Sequence, residues 1–142
     1  MTNQDFTKRI AIVVSKDLPS WKAMNTVSHI SAYFGNKMDE SFDTGEYFST
    51  KDKIDIPRNS QYPIIIFAAK QTQLTTLADK VRELSDIKSM FFVKEMIDTG
   101  DDSELEKLIG DQEALDLTYY GIGMFGDNET IKKITNKYKL WS

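Results

Sequence analysis

The sequence predicts an α/β fold, with four strands in one sheet flanked by helices. Two observations carry this. The apolar runs at residues 10–14 and 63–69 lack the alternation of a half-exposed strand, as expected of strands covered on both faces. Around them, apolar residues recur at helical spacing. A length of 142 residues suits one domain spanning 1–142, and 40 % hydrophobic content can fill a core without disulfide or metal staples.

The first strand is Ile10-Ala11-Ile12-Val13-Val14. Pro19 interrupts it, and Ser20 is the expected N-cap of a helix reaching residue 34, with Ala23, Val27, Ile30 and Phe34 as its buried stripe and Gly35 as its stop. Residues 36–62, rich in Asp, Ser, Thr and Lys with Gly45 and Pro57, read as a long excursion holding short strands such as 46–49. The second strand is 63–69. Leu74, Leu77, Ala78, Val81 and Leu84 mark the next helix, and 90–96 reads as a third strand. Strand, helix, strand in this order implies a crossover, right-handed where the strands are parallel neighbours. A short helix with Leu105, Leu108 and Ile109 inward and Gly110 as its stop follows the acidic stretch from Asp98 to Glu104. The fourth strand is 117–125, and Ile131, Ile134 and Tyr138 form one face of a last helix.

Composition excludes several chemistries. No cysteine is present, so thiol nucleophiles, disulfides and thiolate metal sites are absent, in keeping with a reducing compartment. With His29 as the single histidine, a metal site built from several imidazoles is impossible, and nothing calls for a cofactor. Eighteen basic against 22 acidic side chains give a net charge of −4, the wrong sign for a surface that attracts DNA all over, although a local basic groove is compatible with it. No apolar run approaches the ~20 residues of a membrane helix, and the start Met1-Thr2-Asn3-Gln4-Asp5 has no secretion-signal pattern, so a soluble, cytoplasmic protein is expected.

Four groups of residues are candidate sites. Lys22, Asn25 and His29 share a polar stripe on the first helix, where a cation, an amide and the lone imidazole could hold a phosphate or polarise a carbonyl; a solvated helix face has the same spacing. Asp98-Thr99-Gly100 follows the third strand, where open α/β sheets place ligand chemistry, so Asp98 could orient a water; either Asp98 or Thr99 could instead cap the next helix. Gly121-Ile122-Gly123-Met124-Phe125-Gly126 matches the dinucleotide spacing, but its first two glycines lie inside a strand and no second strand follows to complete the unit. Gly121 and Gly123 there allow another backbone or a ligand to come close to the strand. Trp21, Tyr119, Tyr120 and Trp141 could stack on a base, or belong to core and rim.

An apolar strand followed by Asp17-Leu18, Lys22 and Ser28-His29, with Tyr120-Gly121-Ile122-Gly123 and Lys139-Leu140-Trp141 near the end, resembles the type II peptidyl-tRNA hydrolases. Val13-Val14 through Asp17-Leu18-Pro19, Asn25, Pro63, Glu95-Met96 before Asp98-Thr99-Gly100, and Phe125-Gly126 resemble more closely a related bacterial family called domain of unknown function two thousand. The resemblance implies a mixed, largely parallel sheet of the peptidyl-tRNA hydrolase II kind and a homodimer. It also implies a carboxylic ester hydrolase in which Lys22 binds phosphate or the oxyanion, His29 holds or deprotonates water and Asp98 orients it. Asn25, Thr26, Thr99, Gly121 and Gly123 would contact the ligand, a tRNA acceptor end or a smaller ester or amide. Pro19-Ser20-Trp21-Lys22 stands where that family has a glycine- and lysine-rich loop, Thr26 replaces its glutamine, and Asp101, Asp102 and Glu104 replace an arginine-bearing segment. These differences supply the alternative expectation, a non-catalytic module binding a small anionic ligand or a protein partner.

Overall fold

A computed structural model describes residues 4–37 and 47–142. Strand β1 (Lys8–Ser15) is buried from Ile10 onward along both faces and occupies the centre of a five-stranded sheet of order β5-β6-β1-β4-β7. Its neighbours are β4 (Ile64–Ala69), parallel, with Ile10 opposite Ile64, and β6 (Tyr119–Asp127), antiparallel, with Val14 opposite Gly121. The edges are β5 (Lys88–Val93), antiparallel to β6, and β7 (Lys139–Leu140), antiparallel to β4.

The sheet is mixed, as expected, but it has five strands rather than four, and only the β1–β4 pair is parallel. "Largely parallel" therefore holds only in that β1, β4 and β5 run the same way. The second and third long strands are not neighbours, because β1 and β6 insert between β4 and β5. The missed strand, β7, is two residues long and leaves no periodicity to read.

Helix α1 (Ser20–Lys37) covers one face of the sheet over Ile10, Ile12, Val14 and Phe92. Helices α2 (Gln71–Arg82) and α5 (Asn128–Thr135) cover the other, burying Leu74, Leu77, Val81, Ile131 and Ile134 against Ala11, Val13, Ile122 and Met124. Ser20 lies inside the first turn of α1 and is not its cap, since the carbonyl of Pro19 accepts from the amides of Lys22 and Ala23. The helix continues through Gly35. Its fully buried stripe is Ala23, Thr26, Ile30 and Phe34, with Thr26 taking the place expected for Val27.

The third strand also ends early. β5 stops at Val93, and Glu95–Asp98 form a single helical turn, α3, that precedes α4 (Asp102–Gly110). Leu108 on α4 is exposed, contrary to expectation, whereas Leu105 and Ile109 are half-buried. Tyr138 is buried as expected but lies beyond the end of α5. In the excursion, β2 (Tyr47–Ser49) and β3 (Asp55–Pro57) pair as a small antiparallel ribbon. Gly45 and Glu46, together with Met1, Thr2 and Asn3, lie outside the described residues. No helix among the described residues is long and apolar enough to cross a membrane.

Candidate functional site

The strand directions bring one set of termini to a common edge. β1, β4 and β5 end there and β6 and β7 begin there, so Lys16, Lys70, Lys94, Tyr120 and Lys139 are neighbours of the same sheet edge although they come from five segments. Open α/β sheets gather ligand chemistry at such carboxyl-terminal edges.

Lys22, on the first turn of α1, places its Nζ 5.5 Å from the ring centroid of Trp21 and 5.6 Å from that of Tyr120. Both distances lie within cation–π range. The rings orient the ammonium without neutralising it, and no carboxylate pairs with it among the described residues. Tyr120 is buried, whereas Trp21 is 58 % exposed and presents an open aromatic surface. Lys94, which opens α3, forms an ion pair with Asp98 one turn later, Nζ to Oδ2 3.2 Å. The Asp98 carboxylate, through hydrogen bonding and then charge attraction, raises the Lys94 pKa above the ordinary lysine value, and the Tyr120 phenol adds a smaller contribution in the same direction.

His29 lies two turns along α1 from Lys22, and its ring stacks on Phe92 of β5, centroids 5.0 Å apart and planes 16° from parallel. It is exposed, and neither a hydrogen bond nor an ion pair joins it to Asp98 among the described residues. Asn25 is half-buried between Lys22 and His29 along the helix. Thr99 ends α3, its amide bonding to the Glu95 carbonyl at 3.1 Å. Neither Asp98 nor Thr99 caps α4. That role belongs to Asp101, whose side chain accepts from the Glu104 amide at 3.0 Å.

Gly121 and Gly123 open room for a helix and not for a ligand. A Cβ at Gly121 would stand 2.6 Å from Thr26 Cγ2, and one at Gly123 would stand 2.3 Å from Ile30 Cγ2 and 2.7 Å from Phe34 Cε2. The missing side chains let α1 lie close on β6, so the space a ligand would need is filled by Thr26, Ile30 and Phe34. Thr26 is itself fully buried, facing Gly121 and not solvent.

Lys94 is not legible as a site residue from the sequence, whereas Tyr120 is among the aromatic residues that could stack on a base or belong to the core. Lys94-Glu95-Met96-Ile97-Asp98 does carry the i, i+4 spacing of an ion pair, but only once the segment is known to be helical. A cleft of about 450 Å³ lies on the other flank of α1 between Val14, Val27, Ile66 and Trp141, with Ser20 and Ser28 also lining it. None of Lys22, His29 and Asp98 lines it. Among the described residues no group of carboxylates and imidazole is arranged to hold a metal.

Comparison with known proteins agrees with this picture at the level of the fold. A family model described as Protein of unknown function (DUF2000) matches residues 8–142. A solved structure of a protein of unknown function from Agrobacterium tumefaciens strain C58 superposes with a TM-score of 0.83 over 97 % of this chain and 100 % of its own, at 22 % sequence identity. None of the curated proteins matches.

Proposed function

We propose that this chain, which belongs to the family of proteins of unknown function called DUF2000, binds a small ligand that pairs one anionic group with one flat ring, such as a nucleoside monophosphate. The reading rests on Lys22, whose charge is held by two rings, is unneutralised among the described residues, and stands beside the open face of Trp21. An oriented ammonium supplies the anion contact, and an exposed indole supplies a stacking surface for a base. Lys94 contributes less to the attraction, since Asp98 already compensates it.

The resemblance to type II peptidyl-tRNA hydrolases supplies a second reading, hydrolysis of an ester or amide with Lys22, His29 and Asp98 as the reacting group and a tRNA acceptor end as one substrate. The nearness of Tyr120 to both Lys22 and Lys94 favours it, whereas the engagement of Asp98 by Lys94 and the stacking of His29 on Phe92 favour binding alone. The homodimer and the cytoplasmic location belong to this second reading, and light scattering of the purified chain checks the former.

Titrating adenosine 5′-monophosphate while following tryptophan fluorescence tests the first reading. Saturable quenching is expected, weakened at least fivefold by Lys22→Gln and reduced in amplitude by Trp21→Leu. No saturable change, or one that Lys22→Gln leaves intact, contradicts it. Turnover of N-acetyl-aminoacyl-tRNA that disappears in both His29→Ala and Asp98→Asn would establish hydrolysis in its place.

A further inference from the structure

Beyond the Lys22 site, the same sheet edge carries a second basic feature at its other end. A cleft of about 300 Å³ lies between the end of β1, the start of α2 and the approach to β7, lined by Lys16, Lys70, Gln73, Lys137, Tyr138 and Lys139. Four lysines from separate positions thus line one concavity in a chain whose net charge is −4. None of the four has a carboxylate partner among the described residues. Lys137 is held 5.5 Å from the ring of Tyr138, a contact that orients it and leaves its charge in place.

The polar walls match a polyanion in detail. Gln73 uses its Oε1 to accept from the Lys70 amide at 2.9 Å, leaving its amide nitrogen as a donor. The first bond within α2 runs from the Leu74 amide to the Lys70 carbonyl, so the amides before Leu74 have no acceptor within the helix and favour negative charge near Lys70. Exposed single ion pairs are worth little each. A ligand that meets several ammonium groups at once is therefore favoured over a monoanion, and lysines contact phosphate oxygens as compact point charges.

We infer that this cleft binds an oligophosphate chain carrying at least three negative charges, either free or as the tail of a nucleotide. The inference does not depend on the Lys22 reading. Tyr120 of the Lys22 site opens β6 and Lys16 of the cleft follows the adjacent β1, so the cleft is probed through Lys70 and Lys137, which lie further along the strand order and make no contact with Lys22, Trp21 or Tyr120 among the described residues.

Isothermal titration in metal-free buffer with phosphate, tripolyphosphate and adenosine triphosphate tests it, using the intact chain, a Lys70→Ala/Lys137→Ala variant and a Lys51→Ala/Lys107→Ala control that removes equal charge elsewhere. All four lysines substituted are exposed, so folding is expected to persist, and far-ultraviolet circular dichroism checks it. Tripolyphosphate should bind at least tenfold tighter than phosphate. The cleft variant should weaken it at least tenfold and the control less than twofold. Comparable affinity for adenosine triphosphate and tripolyphosphate assigns the free chain as sufficient, and at least tenfold tighter adenosine triphosphate assigns a nucleotide. An absence of saturable heat, or equal weakening by the control, overturns the inference.

Discussion

Gly123 decides how closely α1 approaches the sheet. The ideal Cβ of an alanine there would lie 2.3 Å from Ile30 Cγ2 and 2.7 Å from the Phe34 ring, both on fully buried side chains. Gly123→Ala should therefore destabilise the protein by about 1–3 kcal/mol, the usual cost of overpacking a core, seen as a lower denaturant midpoint at unchanged slope. Lys94 gives a residue-scale test of the site's electrostatics. Its pKa is raised in the folded protein, chiefly by hydrogen bonding to Asp98, so the pair's contribution to stability is present below the ordinary lysine pKa and is lost as pH rises through the raised value. Asp98→Asn should bring the Lys94 ammonium back towards the ordinary value, measurable by nuclear magnetic resonance titration of its side chain. An unchanged titration would mean that the ion pair does not form in solution.

Helix caps carry the element-scale predictions. Asp127 accepts from the Thr130 amide at 2.9 Å and from its hydroxyl at 3.0 Å at the start of α5. These bonds, the amide first, hold its carboxyl below the usual aspartate range, so the stabilisation is full above the ordinary aspartate pKa and disappears as pH falls through the lowered one. Asp127→Ala should lower the melting temperature near neutral pH and have little effect in strong acid. Asp101→Ala should remove the α4 cap at a cost of about 1 kcal/mol. The elements themselves were unevenly legible. The polar stripe of Lys22, Asn25 and His29 on α1 follows from helical spacing, which is a local property. That Thr26 rather than Val27 occupies the fully buried position depends on the glycine facing it from β6, more than ninety residues later in the chain. α3 is hidden for a related reason, because Met96 and Ile97 resume the apolar residues of β5 after the charged Lys94-Glu95, while the backbone has already turned helical.

For the whole molecule, alternating strands and helices announced the α/β class, but pairing is non-local. Nothing in the order of apolar runs tells that β6 inserts antiparallel between β5 and β1, and that insertion brings Tyr120 beside Lys22 and Lys94. The net charge of −4 likewise conceals a basic carboxyl-terminal sheet edge, because the lysines that share it are scattered from Lys16 to Lys139. The most direct test of the account is a nitrogen-15 correlation spectrum of the chain titrated with adenosine 5′-monophosphate. The account predicts shifts concentrated at the start of α1, at Tyr120 and along α3 around Lys94, with the α1 flank lined by Val27 and Trp141 unperturbed. Shifts confined to that apolar flank, or none at saturating ligand, would contradict it.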